Sequence, residues 1–131
     1  MIYLLRRGQT MTDEQAIAKT IQTYFDSMYL SDGGKVHQAF HPNAKITGYM
    51  GTNLLEQTVD EFASFVGDQS PSAKDKGEPP LLETLYVDIS GNTAVAKVRD
   101  GYLGMVFVDT LSLLQLDGQW VIYNKLFYVE R

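Results

Sequence analysis

The sequence contains no cysteine among its 131 residues. This absence excludes disulfide bonds, thiolate metal ligands and cysteine nucleophiles, and it favours a reducing compartment such as the cytoplasm. No apolar run approaches the ~20 residues that a membrane-spanning helix requires. Basic residues are also few, since 11 lysines and arginines stand against 16 acids and give a formal charge of −5. We therefore expect a cytoplasmic domain with no membrane and no nucleic-acid partner.

Motifs for several catalytic classes are missing as well. The chain has no G-x-S-x-G nucleophile elbow, no P-loop and no G-x-G-x-x-G dinucleotide signature. His37 and His41 have the i, i+4 spacing that can hold zinc on one helix face. A third ligand is not indicated, and Pro42 follows at once. We therefore predict neither a metal nor a cofactor.

The apolar pattern predicts three helices followed by a run of strands. Thr12–Gln15 reads as a capping box, and it is followed by a helical stripe of Ile17, Ile21, Tyr24 and Met28. This helix is expected to end near Ser31–Gly34. A short helix should follow and stop at His41-Pro42, and a third is expected over 59–66. Strands are expected over 44–50, 81–89, 93–99, 105–116 and 119–129, and a loop over 67–80.

These elements predict an α+β domain in which a curved antiparallel sheet packs on three N-terminal helices as a cone-shaped roll. We expect residues 11–131 to form this single domain and residues 1–10 to be a loose N-terminal extension. A curved sheet with helices across its mouth commonly leaves an interior hole. An abundance of tyrosine, phenylalanine and methionine suits a pocket for a flat, apolar molecule.

One acid, Asp109, stands inside an apolar strand near the C-terminus. Asp117-Gly118 predicts a tight two-residue turn, so Leu116 should pair with Gln119 and Asp109 should lie opposite Leu126. With this register, Asp109 faces inward on the same side as Asn124. A single β-bulge between Trp120 and Phe127 would instead turn Lys125 and Phe127 inward and remove Asn124. The sequence leaves both registers open.

Three segments carry a resemblance to a known family. They are I-x-x-Y-F-D-S-M-Y-L-S-D-G-G at Ile21–Gly34, A-F-H-P-N-A-K-I at Ala39–Ile46, and D-T-L-S-L-L-Q-L-D-G-Q-W-V-I-Y-N-K-L-F at Asp109–Phe127. With the order of elements, they resemble the nuclear transport factor 2-like superfamily, and the last two look most like its putative lumazine-binding branch. The resemblance implies the cone-shaped fold for residue 11 onward. It implies little about chemistry, because this fold hosts many unrelated functions.

Within that superfamily, ketosteroid isomerase offers a comparison for the site. Its oxyanion hole uses a tyrosine of the first helix and a neutral aspartate of a late strand, and this enzyme is a standard example of a buried neutral acid. Tyr24 and Asp109 occupy the positions that resemble this pair. The aspartate base of the family falls at or beside Gly48, which cannot move a proton. The resemblance thus implies the electrophilic pair without the base.

Two functions from different classes follow. The first is a small-molecule-binding domain with an apolar pocket and an undefined ligand. The second is an isomerase, dehydratase or cyclase that acts by proton transfer on a small carbonyl or cyclic compound, with Asp109, Tyr24 and His41 as catalytic residues. The expected ligand-binding residues are Tyr24, Met28, His41, Tyr49, Phe62, Phe107, Asp109 and Asn124. Either function is compatible with a homodimer that forms through the outer sheet face, where Thr110 and Tyr123 are expected.

Overall fold

A computed structural model of the chain describes residues 3–6 and 9–131. Within these residues a small two-stranded sheet precedes three helices and a six-stranded sheet. The elements, in chain order, are β1 (Tyr3–Arg6), β2 (Gln9–Met11), α1 (Asp13–Tyr29), α2 (Gly33–Ala39), β3 (Phe40–Met50), β4 (Asn53–Thr58), α3 (Val59–Gly67), β5 (Leu82–Ser90), β6 (Thr93–Tyr102), β7 (Met105–Leu116) and β8 (Gln119–Val129). The predicted α+β class is therefore confirmed. Among the described residues, the helices are too short or too polar to cross a membrane.

Local hydrogen bonds set the starts of two helices. Thr12 accepts from the backbone of Gln15, whose side chain bonds back to the backbone of Thr12, as the sequence predicts. Thr58 and Glu61 form a second capping box at the start of α3. Such boxes satisfy amide groups that have no partner inside the helix. The helices then bury their apolar stripes against the sheet, as in α1 with Ile17, Ile21, Tyr24 and Met28.

The six strands lie in the order β4-β3-β8-β7-β6-β5. Neighbouring strands are antiparallel except β3 and β8, which run parallel, so the sheet is mixed where a wholly antiparallel one was expected. A parallel pair needs a long crossover, and here everything from β4 to β7 separates the two strands in the chain. Strand β4 was not predicted, because its side chains are mostly exposed and show no alternation of apolar and polar residues.

Strands β1 and β2 form their own antiparallel pair outside the six-stranded sheet. Part of the expected loose extension therefore has local structure, while residues 1, 2, 7 and 8 lie outside the described part of the chain. Met11, at the end of β2, packs against the core. The assignment of residues 11–131 to one domain stays a prediction.

A β-bulge at Tyr123 decides which side chains of β8 face the core. The hairpin pairs Leu116 with Gln119 as predicted, and the ladder then continues to Leu113 and Ile122. The next pair joins Ser112 to Asn124, so Tyr123 has no partner in β7. From there the parity is reversed, and Asp109 lies opposite Phe127. The predicted pairing of Asp109 with Leu126 is wrong, and the alternative register with a bulge is the observed one.

The neighbouring strand explains where the bulge falls. On the other side of β8, β3 pairs Phe40 with Ile122 and then resumes with Lys45 and Asn124, so its ladder is irregular at the same level. The His41 ring lies 4.7 Å from the Tyr123 ring, centroid to centroid. Irregular backbone in β3 thus matches the extra residue in β8.

Candidate functional site

Asp109 and Tyr24 form a hydrogen-bonded pair in the core. Both side chains are fully buried, and the Tyr24 hydroxyl donates to Asp109 Oδ2 at 2.5 Å. The inward orientation of Asp109 holds despite the bulge, because the extra residue lies in β8 and leaves the alternation of β7 intact. Burial, followed by the charges of Asp100 and Asp109, raises the pKa of Tyr24 well above its ordinary value. Tyr24 therefore remains a neutral donor.

A second carboxyl, that of Asp100, joins this pair. In the ladder Asp109 lies opposite Val98, so Asp100 is its diagonal neighbour on the same face of the sheet. Asp100 is 1% exposed. Burial, a hydrogen bond with Asp109 and the charge of Asp109 raise the pKa of Asp100 well above its ordinary value, against an opposing effect of Lys125. The raised pKa favours the protonated, neutral form of Asp100 beside Asp109.

Lys125 brings a buried amine to the same place. Its side chain is 5% exposed because the bulge turns it inward. The Nζ atom lies 4.6 Å from the ring centroid of Phe62, 4.7 Å from that of Tyr24 and 5.7 Å from that of Phe127. Within the part of the chain that the structure describes, no carboxylate lies within ion-pair distance of this amine. The amine is held by aromatic faces rather than by a salt bridge.

These groups form one wall of a pocket between the helices and the sheet. The cavity has a volume of about 220 Å³ and is mostly apolar. Its lining residues are Met28, Ile46, Met50, Leu55, Gln57, Phe62, Phe65, Asp100, Tyr102, Leu103, Met105, Phe107, Lys125 and Phe127. Among these described residues the charged ones are Asp100 and Lys125. The Tyr102 hydroxyl is buried without a hydrogen-bond partner among the described residues, and burial raises the pKa of Tyr102 to about 12.

The structure separates the predicted site residues into three groups. Met28, Phe62 and Phe107 line the pocket. Tyr24 and Asp109 are fully buried behind the pocket wall and do not line it. Asp100 and Lys125 belong to the wall itself.

The third group lies away from the pocket. Tyr49 is 58% exposed. Asn124 is only half-buried and lies on the side opposite to Lys125, because the bulge reverses the parity of β8. The ring of His41 packs on Tyr123, and its Nδ1 accepts from the backbone of Asn43. His41 therefore does not meet Tyr24 and Asp109 around one hole, and the inward placement of Asn124 is corrected.

Two residues of the site were missed. Asp100 continues the buried alternation of Ala94, Ala96 and Val98 in β6, but the predicted strand ended at position 99, just before Asp100 and three residues before the observed end. Lys125 was named only for the alternative register. Asp100 was missed because the predicted strand was too short, and Lys125 was missed because the main predicted register placed Asn124 inward. The type of residue was not the cause in either case.

Gly48 leaves no room for the base that ketosteroid isomerase carries there. A Cβ built on Gly48 would lie 2.5 Å from Cγ of Phe127 and would also meet the Phe127 carbonyl. The Phe127 ring fills the space that a side chain at this position would need. Any proton transfer in this pocket must therefore use another group.

Known proteins resemble this chain both in sequence and in fold. A family model described as "Putative lumazine-binding" matches residues 12–128. A nuclear transport factor 2-like protein of unknown function from Silicibacter pomeroyi superposes with a TM-score of 0.80 at 24% identity, covering 92% of this chain and 100% of that one. One from Methylobacillus flagellatus gives a TM-score of 0.80 at 25% identity, covering 95% and 97%. The cone-shaped architecture predicted from the sequence is confirmed by these likenesses.

One curated relative has an assigned activity. The chain is 24% identical over 121 residues to the aldolase FrzH of a Cladobotryum species, covering 91% of this chain and 93% of the relative. The match extends over nearly the whole of both proteins.

We expect Asp100→Asn to flatten the dependence of stability on pH. A carboxyl whose pKa is raised by folding stabilises the fold fully below its ordinary pKa of 3.8, and this contribution is lost as pH rises through the folded pKa. The free energy of unfolding should therefore fall with rising pH, by at most about 1.4 kcal/mol per pH unit from this group. Asparagine cannot ionise, so the variant should lack this slope.

Urea unfolding at a series of pH values from the acid range to neutrality measures the effect. Asp88→Asn, at an exposed position of β5, is the matched control and should keep the slope of the unmodified protein. If Asp100→Asn and Asp88→Asn gave the same slope, the raised pKa of Asp100 would be disproved.

Proposed function

Because the chain belongs to the putative lumazine-binding family, we propose that its pocket binds a small, mainly apolar molecule that carries an oxygen at one end. The observation that carries this proposal is an apolar cavity whose charged wall consists of Asp100 and Lys125. Pockets for small ligands typically combine apolar walls with a few polar groups that fix orientation.

The size and polarity of the cavity restrict the ligand. An apolar cavity of about 150 Å³ is enough to hold benzene, so about 220 Å³ suits one ring with substituents or a compact two-ring compound. Lys125 offers N–H donors at one end, and Tyr102 and Asp100 offer hydroxyl groups. A carbonyl, carboxylate or phenolic oxygen matches these donors.

Isothermal titration calorimetry with lumazine and with benzyl alcohol tests the proposal. We expect at least one of these probes to bind, and Met105→Trp to weaken its binding about tenfold or more because the indole fills the cavity. Leu85→Trp, at an exposed position outside the lining, should leave the affinity unchanged. Absence of binding by both probes, or equal affinity in Met105→Trp, would count against this pocket as the ligand site.

A second candidate function is proton transfer on a small carbonyl compound, as in isomerases, dehydratases and cyclases. Two observations favour it. Asp100 lies on the pocket wall with Asp109 behind it, so this pair can pass a proton to a ligand oxygen. The aldolase relative also acts, by its name, through carbonyl chemistry. Asp100 takes the place that the sequence assigned to His41.

Exchange of hydrogen in acetophenone tests this second candidate. Protonation of the ketone oxygen by Asp100 makes the methyl hydrogens acidic enough for water to remove one, and the resulting enol takes up deuterium from D₂O. The protein should therefore accelerate deuterium uptake, which is followed by NMR. Asp100→Asn should slow the exchange about 100-fold or more, and Asp88→Asn should not. Uptake at the rate of buffer alone would exclude this activity for simple ketones.

We also propose that the protein is a homodimer that associates through the outer face of the sheet. Leu126 and Tyr128 of β8 are 51% and 65% exposed, and Thr110 pairs with Leu126 on this face. Adjacent exposed apolar side chains of this kind are typical of association surfaces. Leu126→Arg should therefore shift the sedimentation coefficient from dimer to monomer, while Leu116→Arg at the hairpin end should not. A monomer in the unmodified protein would contradict the proposal.

A further inference from the structure

The binding proposal uses Lys125 only as a hydrogen-bond donor and makes no use of its amine as a nucleophile. Its amine is brought into an apolar cavity by the bulge at Tyr123, is 5% exposed, and lies within 6 Å of three ring centroids. The described residues give it no carboxylate within ion-pair distance. A lysine amine that is kept from water in a hydrophobic pocket is the arrangement that enzymes use for attack on carbonyl carbon.

The surroundings of Lys125 also supply the acid that such an attack requires. Asp100 lines the same pocket, and burial and the neighbouring Asp109 raise its pKa well above the ordinary value. Neither of its buried carboxyl oxygens has a hydrogen-bond partner among the described residues. The Tyr102 hydroxyl, also without a partner there, faces the same wall and can bind the oxygen of an incoming carbonyl group.

We infer that Lys125 forms an imine with a small aldehyde or ketone held in this pocket, an inference that rests on the proposed binding function and names the class of its ligand. The ammonium group of Lys125 first gives one proton to solvent. Its Nζ then attacks the carbonyl carbon, a C–N bond forms, and one amine proton moves to the former carbonyl oxygen. Asp100 gives its proton to this hydroxyl group, which leaves as water. The products are a protonated imine on Lys125, one water molecule and an ionised Asp100.

The position of the groups explains why an imine would form here rather than on other lysines. Lys45 of β3 is exposed, so its amine is fully hydrated and has no buried acid beside it. At Lys125 the aromatic rings exclude water, and the positive charge of the protonated imine would face the same rings that now face the ammonium group. The ionised Asp100 would be the counter-charge of this product.

Reductive trapping tests the inference on the full chain. The protein is incubated with benzaldehyde and sodium cyanoborohydride, which reduces an imine to a stable amine, and the benzylated lysines are identified by mass spectrometry of peptides. We expect labelling at Lys125 to be about tenfold or more faster than at Lys45. Excess benzyl alcohol, which has the same ring but no carbonyl group, should compete for the pocket and slow the labelling of Lys125 alone.

Variants test whether labelling of Lys125 requires its amine as a nucleophile or only a positive charge in the pocket. Lys125→Arg keeps a cation in the pocket but forms no stable imine, so labelling at this position should disappear. Lys45→Met is the control and should leave labelling of Lys125 unchanged. Asp100→Asn should slow labelling of Lys125, because the acid that releases water is gone.

The outcomes distinguish the inference from the proposal beneath it. Preferential labelling of Lys125 that benzyl alcohol slows supports both. Binding of benzyl alcohol without preferential labelling of Lys125 overturns the imine and leaves the binding function standing. Failure of benzyl alcohol to bind, together with equal labelling of Lys125 and Lys45, overturns both for this class of ligand.

Discussion

One additional residue in a strand determines the chemistry of the interior. Tyr123 has no partner in β7, and beyond it every side chain of β8 changes sides. Because alternation along a strand is strict, one insertion is enough to replace the amide of Asn124 by the amine of Lys125. The same shift places the Phe127 ring over Gly48. The amine in the polar wall of the cavity and the ring that packs on Gly48 both follow from this bulge.

The buried polar groups lie close together and offset part of the cost of burying one another. A carboxylate, a carboxylic acid and an ammonium group would each be costly to bury alone. Here the hydroxyl of Tyr24 donates to Asp109, burial and the neighbouring Asp109 raise the pKa of Asp100, and aromatic rings face the amine of Lys125. The strands and α1 hold these groups in fixed positions. Such preorganisation is what binding and catalytic sites share.

The resemblance to ketosteroid isomerase extends to architecture and to part of the site. Tyr24 and Asp109 meet as the resemblance implied, but they meet each other beneath the pocket instead of lining it. The carboxyl group that lines the pocket is that of Asp100, one strand away.

The sequence by itself determined what depends on bonds between near neighbours. The start of α1 at Thr12, the turn at Asp117-Gly118 and the inward side of β7 were predicted correctly, because each is set within a few residues or within one uninterrupted strand. Only the tertiary structure decided the rest. The bulge in β8 lies beside an irregular stretch of β3, a strand that lies about 80 positions earlier in the chain. The approach of Asp100, Asp109 and Lys125 joins three strands, and no local pattern records which residues of separate strands will stand side by side.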